Sequence, residues 1–167
     1  MDRSALQALQ APLKEQYKDK PEAAVWTLTA EGRLGEENVS CSVATSGALI
    51  EAGLHEATGG TGMLACSGDM LLEALVACAG VTLRAVATSL DIPVRGGTVH
   101  AEGDLDFRGT LGVSKEAPVG FSAVRLRFDL DTDATEDQLA TLLKLTERFC
   151  VVYQTLSNSP AMSATLG

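Results

Sequence analysis

The chain is short of aromatic side chains and of positive charge, and both shortages narrow its class. Only 4% of its 167 residues are Phe, Tyr or Trp, so its core must be packed mainly from Leu, Val and Ala. Acidic residues outnumber basic ones by 22 to 13, for a formal net charge of −9. A polyanion partner needs a basic stripe to neutralise its phosphates, and none is present, so no nucleic acid is expected. There are four cysteines, but no Cys-x-x-Cys pair and no His-x-x-x-His spacing, so His55, Cys66, Cys78 and Cys150 do not read as a zinc set and no metal is expected. The chain also lacks a Gly-x-Ser-x-Gly elbow for a serine nucleophile. The glycine-rich stretch from Gly53 to Gly62 is not closed by the Lys-Ser or Lys-Thr of a phosphate loop. Near the start, apolar residues alternate with Lys, Gln and Glu, which is not the pattern of an export signal. A cytoplasmic location follows as the expectation, with Cys41, Cys66, Cys78 and Cys150 as reduced thiols.

What the chain does have is 46% hydrophobic residues, enough for one domain with a full core. The centre of the pattern is Ser67–Leu90, a run of helix formers with Ser67 or Asp69 available as N-cap. Between Met70 and Leu90 only Glu73 and Arg84 are charged, and they make it unconvincing as a membrane span. Cys78 falls on a stripe with Leu71, Ala74, Leu75, Val81, Thr82 and Ala85, expected to face the core.

Before this helix, Ser4–Lys18 reads as an amphipathic helix broken or restarted at Pro12, within an arm of residues 1–23. Residues 24–167 read as a single domain. Alternation marks strands at Ala24–Glu31, Val39–Thr45 and Ala48–Ala52, with a turn at Gly32–Gly35, as in an antiparallel meander. After the helix, Thr98–Phe107 and Val124–Asp131 alternate cleanly, as a hairpin with one buried and one wet face. Thr135-Glu136-Asp137-Gln138 is a capping box that opens a second long helix to about Leu156. Its seam is Leu139, Leu142, Thr146, Phe149, Tyr153 and Leu156, with Cys150 close to it; Ala161–Leu166 is a candidate last strand. The order predicts an α+β fold: a β-meander and a β-hairpin packed with two long central helices. Cys78 and Cys150 then sit on inward faces of two helices, either as inert core thiols or, with a cation nearby, as a reactive pair.

Leu71-Leu72-Glu73-Ala74-Leu75-Val76-Ala77-Cys78, followed by an apolar helix, resembles the first-cysteine segment of the OsmC/Ohr family of thiol peroxidases. Glu147-Arg148-Phe149-Cys150-Val151-Val152 resembles the second. Glu31-Gly32-Arg33 sits where that family carries a Gly-Gly-Arg turn, and the likeness extends over about residues 24–160. The resemblance implies an intertwined homodimer that reduces organic hydroperoxides, with no resident cofactor and a dithiol or lipoylated protein as reductant. It makes Cys78 the peroxidatic cysteine, Cys150 the resolving one and Arg33 the cation that keeps the thiolate ionised. Leu71, Leu75 and Phe149 are then the expected substrate contacts. One departure stands out: Ser67 and Gly68 occupy the positions of the family's Pro-Glu pair, which leaves Asp69 as the nearest carboxylate. Cys66 is a further thiol, either an auxiliary redox group or an ordinary cysteine. The alternative expectation is a relative that binds an apolar ligand without turnover, or that senses redox state through the same disulfide.

Overall fold

The computed structural model describes residues 3–34, 41–43, 52–63 and 65–166; for residues 3–7, 9–10, 26–34, 41–43 and 52 it describes the backbone alone. The chain divides into two compact units, each assembled from three stretches. The first comprises Met1–Glu31, Ala44–Glu73 and His100–Arg127, and the second Gly32–Val43, Ala74–Val99 and Phe128–Gly167.

In the first unit, helix α1 (Arg3–Asp19) runs unbroken through Pro12, contrary to the sequence expectation. Ala8, whose carbonyl loses its partner to the proline ring, is exposed along with Pro12, so water can satisfy the freed oxygen. The helix is pinned by Tyr17, 2% exposed, whose hydroxyl donates to the Ala57 carbonyl at 2.6 Å. Ala57 lies in the one-turn 3₁₀ segment Glu56–Thr58. Strands β3 (Ala52–Gly53) and β4 (Ala65–Cys66) pair in parallel. The described end of the third expected strand is therefore a short parallel bridge and not a meander strand; residues 39–40, 44–45 and 48–51 of the expected strands lie outside the described residues.

Strand β1 (Val25–Leu34) extends through Gly32, Arg33 and Leu34, which were expected to turn. They pair antiparallel with β2 (Cys41–Val43), Arg33 opposite Ser42. Strands β5 (Gly96–Asp106) and β6 (Ala123–Asp131) form the expected hairpin, and the four-stranded sheet has the order β2-β1-β5-β6. Bonds from Arg95 N to Asp131 O and from Ser122 N to Asp104 O fix its antiparallel register. Val99 and Ala101 are fully buried on β5, whereas the apolar side of β6 is only half covered. On the wet side Arg125 pairs with Asp104 at 2.5 Å and Glu102 at 3.2 Å. Such exposed pairs add little stability. The strand stops one residue early because Asp106 caps the short helix α3 (Phe107–Thr110), accepting from Arg108 N at 3.0 Å. Hydrogen bonding from the Arg108 guanidinium, with that backbone bond adding to it, holds the Asp106 carboxyl below its ordinary pKa against the effect of burial.

Helix α2 (Ser67–Ser89) begins two residues before Asp69, which places this carboxylate in the first turn. By length and composition α2 could cross a membrane. Its buried side carries Leu72, Leu75, Val76, Ala79, Leu83 and Val86. Burying each of the large side chains stabilises the fold by about 1.5–3 kcal/mol. This corrects the sequence reading: the stripe shared by Cys78 is the more open one, with Leu71 and Val81 each 39% exposed. The second long helix is also not continuous. Helix α4 (Glu136–Phe149) opens with the expected capping box, Gln138 N to Thr135 Oγ1 at 3.3 Å and Thr135 N to Gln138 Oε1 at 2.9 Å. It ends at Cys150, and α5 (Val151–Ser157) starts afresh. Leu142 and Thr146 are buried, but Phe149, assigned to the same seam, is 55% exposed because the helix stops there. Residues Ala161–Leu166 are irregular and exposed, not a strand.

Candidate active site

Cys150 belongs to neither helix. Its backbone is extended (φ −73°, ψ 109°), and it serves as C-cap of α4 and N-cap of α5. Its N–H still closes the last turn of α4 onto Thr146 O at 2.9 Å, and its own carbonyl accepts from Gln154 N at 2.9 Å. In an unbroken helix the amides of Val151 and Val152 would bond the carbonyls of Glu147 and Arg148. The break releases them. The carbonyl of Glu147 instead accepts from the Gln154 side chain at 2.8 Å, and the Cys150 sulfur accepts from Tyr153 N at 3.4 Å. Thr146 contributes by bonding back to Leu142 O at 2.8 Å, a contact that bends helices.

The released amides point at Cys78. Burial disfavours its thiolate, but donors outweigh that: the Val152 N–H, the Cys150 thiol, the Val151 N–H and the Thr82 hydroxyl. The Cys78 pKa is lowered as a result. Cys150, with no exposed surface, moves the opposite way. Burial, together with its hydrogen bond to Cys78 and the charge there, pushes its thiol up to about 11 despite the Tyr153 amide. The two thiols are hydrogen-bonded to each other and titrate as a linked pair, with Cys78 the more easily ionised and Cys150 the one that keeps its proton to higher pH. Both cysteines are free. A thiol activated in this way can take an oxygen atom from a peroxide to become a sulfenic acid, and a neighbouring thiol can condense with that acid to a disulfide, releasing water.

Thr82, which touches the Cys78 sulfur, also starts a groove of about 420 Å³. Ala85, Val86, Leu90, Leu145 and Phe149 supply its apolar walls. Of the three expected substrate contacts, Phe149 lines this groove. Leu75 is 1% exposed and belongs to the core, and Leu71 lines a different cavity in the first unit. That cavity also holds Cys66 and His55. Asp69 is in the same unit; burial raises its carboxyl pKa, and its electrostatic interaction with His55 acts in the opposite direction. The backbone of Arg33 lies in β1, in the unit that contains Cys78 and Cys150, and its side chain is outside the described residues. Cys41 likewise has only its backbone described, in β2.

Sequence reasoning missed the amides of Val151 and Val152. The amphipathic period runs straight through Cys150, and the available hint was the β-branched pair following it, a weak helix continuation.

No curated relative matches the chain. Its structure is similar to that of an OsmC-like hydroperoxide resistance protein from Jannaschia sp. CCS1, with 18% identity, a TM-score of 0.60, and coverage of 86% of this chain and 94% of that one. The model of the OsmC-like protein family matches residues 60–165, which contain both cysteines and the helix break between α4 and α5. The chain belongs to the OsmC-like family.

Proposed function

We propose that the protein is a thiol-dependent peroxidase that reduces organic hydroperoxides to alcohols through Cys78 and Cys150. One observation carries this reading: the two thiols share a hydrogen bond, and freed backbone amides lower the pKa of the Cys78 member. The Cys78 thiolate attacks the terminal peroxide oxygen; an S–O bond forms, the O–O bond breaks, and the alkoxide takes a proton to leave as alcohol. Cys78 is thereby oxidised by two electrons to a sulfenic acid. The Cys150 sulfur then displaces hydroxide, which leaves as water with the Cys150 proton, and a disulfide remains. An external dithiol, small or lipoyl-bearing, returns two electrons and two protons by exchange.

In this reading Arg33 adds positive charge that favours the thiolate and the departing oxygen. The apolar groove from Thr82 to Phe149 favours an alkyl or acyl tail over hydrogen peroxide, which gains nothing from such walls. A homodimer belongs to the same proposal, supported by the exposed apolar Leu143, Phe149 and Val151 (45%, 55% and 70%). So does a cytoplasmic location, where both thiols stay reduced. The rival reading, a ligand binder without turnover, is favoured by Gly68 standing where the resembling peroxidases carry Glu.

The test is consumption of cumene hydroperoxide with dihydrolipoate as reductant. Cys78→Ser is expected to remove all activity. Cys150→Ser is expected to stop at a sulfenic acid on Cys78 that dimedone traps. Equal consumption by wild type and both variants would leave only the binder.

A further inference from the structure

The first unit contains a cavity of about 380 Å³ that the proposed chemistry does not use. Leu54, Leu71, Leu105, Phe107, Val119 and Phe121 form its walls. Two of the four phenylalanines and one of the two histidines of this aromatic-poor chain are gathered here. His55 and Phe107 are stacked, with ring centroids 4.9 Å apart and planes at 18°. Phe107 is held by the Asp106 cap that ends β5 and is only 4% exposed.

The surroundings fix these rings. His55 Nδ1 accepts from Ala57 N at 3.0 Å, so the neutral ring carries its proton on Nε2. The Ala57 carbonyl is in turn clamped by Tyr17 from α1. Gly60 closes the loop: its N–H reaches His55 O at 3.0 Å, and a Cβ at this position would collide with the Leu54 carbonyl. Phe121 lies against Gly103 of β5, where a Cβ would come within 2.4 Å of the ring. The cavity is therefore lined by preset side chains.

We infer that this cavity is a binding site for a small, neutral, flat aromatic or conjugated molecule. Its volume exceeds the roughly 150 Å³ that suffices for benzene in an engineered apolar cavity, and it falls in the range of about 300–1,000 Å³ typical of small-molecule sites. Ring faces favour a planar guest by offset or edge contact, which a saturated guest of equal size cannot match. An anionic guest is disfavoured by the net charge of −9.

The probe is 2-naphthol, with decahydro-2-naphthol as its saturated counterpart, in equilibrium dialysis against the full chain. Saturable binding of one naphthol per chain is expected, at least fivefold tighter than the saturated alcohol. Phe121→Ala and Gly103→Ala are each expected to weaken it at least tenfold; if Gly103→Ala fails to fold, Phe121→Ala still decides. Cys66, on the cavity wall, serves as reporter: its alkylation by iodoacetamide, mapped by peptide mass, should slow when naphthol is bound. Cys78→Ser and Cys150→Ser should bind naphthol as the wild type does, so this proposal stands or falls apart from the peroxidase reading. Unsaturable binding, equal affinity for the saturated alcohol, an unchanged Cys66 rate, or full affinity in Phe121→Ala would each overturn it.

Discussion

The two long helical segments each carry a cysteine, yet they treat it in opposite ways. Helix α2 passes Cys78 without interruption, so the backbone amides around that residue are committed to the helix and cannot serve its sulfur. The α4–α5 segment breaks at Cys150 and frees the amides that follow. The intact helix presents the acceptor and the broken one supplies the donors. A thiolate can thus be favoured in a half-buried place by main-chain dipoles, with no side-chain charge among the described contacts of Cys78. Cys150 itself has no exposed surface, and burial raises its pKa.

The largest expected effect separates the two thiols by pH. A buried thiol whose folded pKa is about 11 binds its proton over a range where the unfolded chain, at about 8.5, has lost it. Stability therefore falls as pH rises from roughly 9 towards 11, by up to about 2 kcal/mol. Tyr17, whose pKa burial also raises, acts in the same direction. Cys78 has the opposite sign, and its contribution is already in place once the unfolded thiol has ionised. Thermal melting between pH 8 and 11 should show a steeper decline for wild type than for Cys150→Ser.

Next in size, Val151→Pro removes a single amide donor while suiting the first turn of α5, where proline is tolerated; Cys150, already extended, suits the residue before it. The Cys78 pKa should rise, and its alkylation at neutral pH should slow by about tenfold. Thr82→Val removes a side-chain donor from the intact helix, and about a threefold slowing is expected in the same assay. Equal slowing by the two variants would erase the distinction between main-chain and side-chain donors. Smallest of all for the thiols is Thr135→Ala at the far end of α4. Loss of the capping box should cost about 1 kcal/mol in denaturant unfolding and leave Cys78 alkylation unchanged.

Much of this arrangement is legible in the sequence, and the exceptions share a cause. The hairpin β5–β6, the capping box at Thr135 and the two helical segments follow from alternation, cap chemistry and a 3.6-residue period, all of which are local. The side of α2 that is buried was misjudged, because its composition is apolar nearly all round and the pattern could not choose between faces. The break at Cys150 was hidden because the residues on both sides keep one amphipathic phase. The parallel bridge between Ala52–Gly53 and Ala65–Cys66 joins short segments with no alternation to read. The aromatic cavity depends on residues from four separate stretches of chain, and only folding brings Leu54, Leu71, Phe107 and Phe121 together.

The sulfur of Cys150 is also an acceptor for the backbone, taking the Tyr153 N–H at the start of α5. The first turn of that helix therefore hangs on a single side-chain atom, so whatever changes the bonding capacity of this sulfur also changes how well α5 is anchored at its start.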